Sequence, residues 1–117
     1  MYARVTRFEG GTPSVLKQEL EQMREQMQTG LTDEAVDQMA SQVEGFERDE
    51  VARRLNSIKR TIVLADVDKG ASAMVLFCDT EDDARGVHEL FDAMSPGDEG
   101  GKRQSADIYE VAIDQSF

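Results

Sequence analysis

Several things are scarce in this sequence of 117 residues: it has no tryptophan, one cysteine, one histidine and two prolines. A lone Cys78 excludes an internal disulfide framework. The longest apolar runs are Ile62–Ala65 and Ala73–Cys78. Both fall far short of the roughly twenty apolar residues that a membrane-spanning helix needs. The N-terminus, Met-Tyr-Ala-Arg-Val-Thr-Arg-Phe, alternates like a strand and does not read as a signal peptide. Basic residues are scarce as well: 13 Lys and Arg stand against 24 Asp and Glu, a net charge of −11. A field of that sign repels phosphate, so neither nucleic acid nor an anionic membrane is an expected partner. These features together point to the cytoplasm. No Walker loop, G-x-G-x-x-G, H-E-x-x-H or G-x-S-x-G sequence is present.

What is there is a patterned chain of one-domain length, expected to form a single unit over 1–117. Tyr2–Phe8 reads as a first strand, closed by Glu9-Gly10-Gly11. Thr12-Pro13 opens a helix, with Pro at a position that sacrifices no needed N–H. Leu16, Leu20, Met23 and Met27 give it one buried stripe, and Gly30 ends it. A second helix starts at Thr32, with Leu31 and Val36 spaced as a hydrophobic staple and Val36, Met39, Ala40 and Val43 as the buried stripe. Gly45 is placed to interrupt it, and Asp49–Leu55 continues as a further turn or two. Ile58–Asp66 and Ala71–Cys78 form a hairpin about Asp66-Val67-Asp68-Lys69-Gly70. That turn begins like a calcium loop but has Gly70 and Phe77 at its fifth and twelfth positions, where ligands are needed. Thr80 caps a last helix, with Glu81, Asp82 and Asp83 at its dipole-favoured end and Ala84, Val87, Leu90, Phe91 and Met94 facing inward. Ser95-Pro96-Gly97 stops it. A polar loop, 98–104, precedes a final strand, Ala106–Ile113.

The order is that of an α+β, ferredoxin-like β-α-β-β-α-β unit with an antiparallel sheet and an extra helix before strand 2. Such a sheet ordinarily shows water one polar face. Strands two and three are apolar on both faces, and no element remains to cover the second. The expected cover is the same face of another copy, a homodimer about a two-fold axis.

The hairpin Ile58–Cys78, the acidic helix start Asp79-Thr80-Glu81-Asp82-Asp83-Ala84 and the strand Ile108–Ala112 resemble the dimeric αβ-barrel superfamily, in particular antibiotic-biosynthesis-monooxygenase-like domains. The likeness covers strand one and residues 58–113, while the helical region 31–57 is longer than in that pattern. The resemblance implies a dimeric αβ barrel and either cofactor-independent oxygenation of an aromatic small molecule or haem degradation. Haem-degrading members resemble one another in an Asn on strand one, a Trp late in strand three and a His on the last helix. Here strand one has no Asn, Phe77 stands where the Trp would be, and His88 alone is in place. No cofactor is therefore expected.

His88 is the candidate catalytic residue, as a base of ordinarily near-neutral pKa. A satisfied or half-exposed helical histidine is the plainer alternative. Arg4, Phe8, Arg60, Phe77 and Tyr109 are candidate substrate-binding residues, with Tyr2 and Cys78 as further lining and Arg4 or Arg60 as oxyanion stabilisers. The plainer reading makes the aromatics core and the arginines surface. Cys78 reads as a small buried hydrophobe. The stretch Lys69–Phe77 has the Lys-Gly opening of an RNA-recognition strand, but Ala71 and Ala73 replace its stacking aromatics. A non-catalytic dimeric module that binds a ligand or a protein is the alternative to the enzyme.

Overall fold

The computed structural model describes residues 1–94 and 102–116. The expected stop at Ser95-Pro96-Gly97 and the first part of the polar loop lie outside the described residues. The elements run β1 (Tyr2–Glu9), α1 (Pro13–Thr29), α2 (Asp33–Gln42), α3 (Arg48–Asn56), β2 (Ile58–Asp66), β3 (Ala71–Cys78), α4 (Glu81–Asp92) and β4 (Lys102–Glu110). The four strands form one sheet in the order β2-β3-β1-β4, and every neighbouring pair is antiparallel. Residues 102–104, expected in a loop, are already strand, with Lys102 and Arg103 paired to Glu9 and Phe8 and Gln104 at a bulge, and β4 ends at Glu110 rather than at Ile113.

Helix α4 packs across all four strands, and α3 lies against β2 and α4. The reason is its stripe: Ala84, Val87 and Leu90 are fully buried, and each such Val or Leu contributes about 1.5–3 kcal/mol by leaving water. Ala84 and Val87 meet Leu76 and Cys78 of the sheet, flanked by Tyr2, Met74 and Ile108. Leu90 joins Val36, Val43, Val51 and Leu55 in a second cluster that ties α2 and α3 to α4. The side-chain hydroxyls of Thr32 and Thr80 accept from Ala35 N and Asp83 N, each at 3.1 Å, and so cap α2 and α4. Thr12, in the same position before α1, makes no such bond.

Helix α1 departs from its expected burial. Leu16 is buried, but Met27 is 48 % exposed and the rest of the stripe is only half covered. Among the described residues, no Cα of α1 comes within 8 Å of another helix or strand. An amphipathic stripe requires a facing surface, and here only the first turn has one. Leu31, at 45 % exposure, likewise does not close down on buried Val36 as a staple.

At the far end of the sheet, Gly70 ends the hairpin turn at φ +66°. Its carbonyl accepts from Gly11 N at 3.0 Å, tying the β1–α1 junction to the β2–β3 turn. A Cβ on Gly70 would overlap the Gly11 carbonyl oxygen. Lys69 N donates to Asp66 Oδ1 at 3.3 Å, and the Lys69 ammonium lies 3.8 Å from Asp66 Oδ2, so the Asp that opens the turn also holds it closed.

Candidate functional site

Side chains alternate between faces along each strand, so the register assigns every sheet residue to a side. On β1, Tyr2, Arg4, Thr6 and, at the strand's end, Phe8 share the helix-covered side with Leu76 and Cys78. Ala3, Val5 and Arg7 share the other side with Phe77, Val75 and Ala73. The sheet therefore separates the candidate residues into two groups. Arg4, Phe8 and His88 belong to the helix-covered side; Arg60, Phe77 and Tyr109 belong to the open side. They do not line one pocket.

On the covered side, Arg4 is 2 % exposed. Its Nε donates to His88 Nδ1 at 3.1 Å, and its Nη1 donates to Thr6 Oγ1 at 2.6 Å. Its Nη2 lies 3.8 Å from Asp92 Oδ1, and its Cζ lies 5.3 Å from the Phe91 ring centre. His88 Nε2 lies 3.1 Å from Asp92 Oδ2, and Arg103 Nη1 reaches Asp92 Oδ1. Arginine has no acceptor, so His88 Nδ1 must carry the lone pair and Nε2 the hydrogen. Burial pushes the Arg4 guanidinium below its ordinary range, Arg103 adds to that, and Asp92 opposes it. A buried guanidinium is costly unless its N–H groups are engaged. Here β1 supplies Thr6 and α4 supplies His88 and Asp92 as partners.

This arrangement uses up the histidine. A general base needs a free lone pair within reach of a proton, and that of His88 points at Arg4. An axial ligand for haem needs the same lone pair, so the residues present do not fit that group. Among the described residues, no group of three or more His, Cys, Asp or Glu side chains is placed to hold a metal ion. Cys78 is 1 % exposed, and burial, the largest influence, pushes its thiol upward. It is the small buried hydrophobe that the sequence suggests.

A second polar knot was not foreseen. Arg54 Nη1 donates to Gly86 O at 2.7 Å and to Glu89 Oε2 at 3.0 Å, and Nη2 donates to Glu50 Oε1 at 2.7 Å. Its Cζ lies 4.7 Å from the Phe46 ring centre. The hydrogen bonds that Glu89 and Glu50 accept from it raise its pKa. The Glu50–Arg54 pair stands at i,i+4 and was legible; the partners on α4 were not. Beside it lies a shallow cleft of about 310 Å³ between α3 and α4, in which Arg53 and Arg85 alternate with Asp82, Asp83 and Glu89. Arg53 pairs with Glu50 and Arg85 with Glu81, so both of these cations are engaged within their own helices.

The open side is different in kind. In register across the sheet, Arg60, Phe77, Ala3 and Tyr109 form one row. Ile62, Val75, Val5 and Asp107 form the next, and Leu64, Ala73, Arg7 and Ser105 a third. Arg60 Cζ lies 5.9 Å from the Phe77 ring centre. Leu64 is 59 % exposed and Tyr109 56 %. Comparison with known proteins returns no match: no family model, no curated protein and no solved structure matches this chain. What the chain does must be read from its surfaces. No helix among the described residues is long and apolar enough to cross a membrane.

Proposed function

We propose that this chain is a ferredoxin-like, dimeric αβ-barrel-type module that works by pairing its open sheet face with that of a second copy, and that its role is binding rather than turnover. The strand order and the antiparallel pairing are compatible with that fold. The observation that carries the reading is the open face itself. Val5, Ile62, Leu64, Val75, Phe77 and Tyr109 lie together there, and among the described residues no helix or strand of the same chain covers them. A contiguous apolar surface of this kind marks an interface. The engaged lone pair of His88 supports binding over catalysis.

Sedimentation equilibrium tests the reading. The expected result is a dimer at micromolar concentration, converted to a folded monomer by Leu64→Glu, with an unchanged far-ultraviolet circular dichroism spectrum. A wild-type monomer across the accessible range would defeat it.

One observation favours a second reading, a cofactor-independent monooxygenase-like binder of an aromatic small molecule. Arg4 and His88, separated by 84 positions, are brought into direct contact beside Phe91, which sets a cation beside an imidazole. That reading requires saturable binding of a planar aromatic probe that weakens in His88→Ala. Equal binding by both proteins, or none by either, would dismiss it.

A further inference from the structure

The two edges of the sheet are built differently. Edge strand β4 is guarded: it carries Lys102, Arg103, Asp107 and Glu110, and the irregularity opposite Arg7 and Phe8 leaves Gln104 without a strand partner. Charges and bulges of this kind keep an edge from pairing with another chain. Edge strand β2 has no such guard over its middle. Residues 61–65 are uncharged, and over residues 60–66 the strand runs in unbroken register with β3. Every second residue of an edge strand turns its N–H and C=O away from its neighbour. Among the described residues, no other backbone segment meets those groups on β2.

Charge divides β2 end to end. Lys59 and Arg60 stand at its start, where Lys59 Nζ lies 4.0 Å from Asp79 Oδ2. Asp66 stands at its end, followed in the turn by Asp68 and by Lys69, whose ammonium lies 3.8 Å from Asp66 Oδ2. With Asp79 and Lys69 counted, the start is still basic and the end still acidic.

We propose that β2 pairs with β2 of a second copy, antiparallel about a two-fold axis normal to the sheet at Val63, and joins two four-stranded sheets into one. Directly opposed residues of an antiparallel pair share a face. Arg60, Ile62, Leu64 and Asp66, all on the open side, can therefore oppose only one another. With the axis at Val63, Arg60 meets the partner's Asp66, Thr61 meets the partner's Ala65, and Ile62 meets the partner's Leu64. An axis at Ile62 sets Arg60 against the partner's Leu64, and an axis at Leu64 sets Asp66 against the partner's Ile62. Each of these leaves a charge facing an apolar side chain. Parallel pairing, about an axis lying in the sheet, brings the two basic starts together, and like charges directly opposite are unfavourable. The open-side charges of β1 and β4, Arg7 and Asp107 among them, lie two or three strands in, roughly 10–14 Å from β2 at the usual strand spacing. They do not distinguish the registers.

This contact does not rest on the face-to-face dimer. It uses an edge rather than a face, buries less surface and so forms at higher concentration. A two-fold contact closes on itself, so the pairing stops at two sheets. If both contacts form, their axes generate a closed tetramer.

The experiment is mild oxidation of Val63→Cys at submillimolar concentration, read as covalent dimer on a non-reducing gel. Val63 is in register with Met74 and Thr6 on the covered side, where a face-to-face partner does not reach. At the axis the two Cβ atoms stand about 5 Å apart, close to what a disulfide requires. The native Cys78 is buried and adds no background. Val63→Cys is expected to cross-link readily. Ala65→Cys alone is expected to react poorly, because its two copies stand about 13 Å apart along the strands, whereas a mixture of Thr61→Cys and Ala65→Cys should give the mixed dimer. Adding Arg60→Asp to Val63→Cys makes both symmetric pairs repulsive and is expected to slow the cross-link about fivefold. No covalent dimer from Val63→Cys, an equal yield from Ala65→Cys alone, or indifference to Arg60→Asp would overturn the proposal. A wild-type dimer at micromolar concentration with no cross-link would leave the face-to-face contact and remove this one. A cross-link in a protein that is monomeric at micromolar concentration would do the reverse.

Discussion

Arg4 Nε on β1 donates to His88 Nδ1 on α4 over 3.1 Å, and the contact fixes which imidazole nitrogen bears the proton. Strand, helix and, through Asp92 and Arg103, the edge strand β4 are joined by one chain of polar contacts. Removing the arginine alone would strand its partners. Arg4→Ala is expected to lower unfolding stability by about 3 kcal/mol, because it leaves a cavity and unpaired groups. Arg4→Met, which fills the space with an apolar chain, is expected to cost far less. Urea denaturation of the two variants checks the contrast, and equal losses would count against a polar role for the contact.

From the histidine's side, His88→Ala leaves Arg4 Nε buried without an acceptor and is expected to cost about 1–3 kcal/mol. His88→Asn places a carbonyl oxygen near the position of Nδ1 and should recover a substantial part of that. The same denaturation series reads both. If Asn is no better than Ala, the acceptor at Nδ1 is not what the helix contributes.

Gly70 occupies a left-handed conformation with the Gly11 backbone against it. Gly70→Ala combines the cost of that conformation for a residue with a Cβ with a backbone overlap. A loss of about 3 kcal/mol is expected. Gly10, also at positive φ but with open space around it, isolates the first of these two costs. Gly10→Ala should therefore cost about 1–2 kcal/mol.

Helix caps give a comparison internal to the molecule. Thr80→Ala and Thr32→Ala each remove a side-chain acceptor from a helix N-terminus and should each cost about 1 kcal/mol. Thr12→Ala removes none and should sit within a few tenths of wild type. Thermal melts of the three rank them directly.

The Cys78 thiol is held above its ordinary value of 9.0, chiefly by burial. Its contribution to stability is complete below that value, because thiol and fold are then compatible in both states. As pH rises through it, the unfolded chain loses the proton first and stability falls. Denaturation midpoints measured at pH 8 and at pH 10 should separate more in wild type than in Cys78→Ala.

The sequence foretold much of the scaffold, for identifiable reasons. Ile58–Asp66 and Ala71–Cys78 were legible to the residue, because two apolar runs flank a turn rich in Asp and Gly. The threonine caps of α2 and α4 and the inward stripe of α4 followed from spacing. The start of β4 was missed, since Lys102, Arg103 and Gln104 are polar, and Lys102 and Arg103 pair only because Glu9 and Phe8 lie opposite. The candidate site divided unevenly. Arg4 and His88 were both singled out, but their contact depends on tertiary placement that no local pattern carries. Arg60, Phe77 and Tyr109 were chosen as pocket lining by residue type. Their alignment in one row became visible only with the register, because a one-residue slip would move any of them to the other face.

Helix α1, anchored by Leu16 and little else, has a consequence for how the molecule opens. Its amides are protected by its own hydrogen bonds alone, whereas those of α4 and β3 are shielded by the shared core. The chain should therefore consist of two cooperative units of unequal strength. In amide exchange, α1 should lose protection well before the sheet does, through an excursion that leaves the Arg4–His88 contact and the paired strands intact. The longest helix in the protein would then be the part that contributes least to keeping it folded.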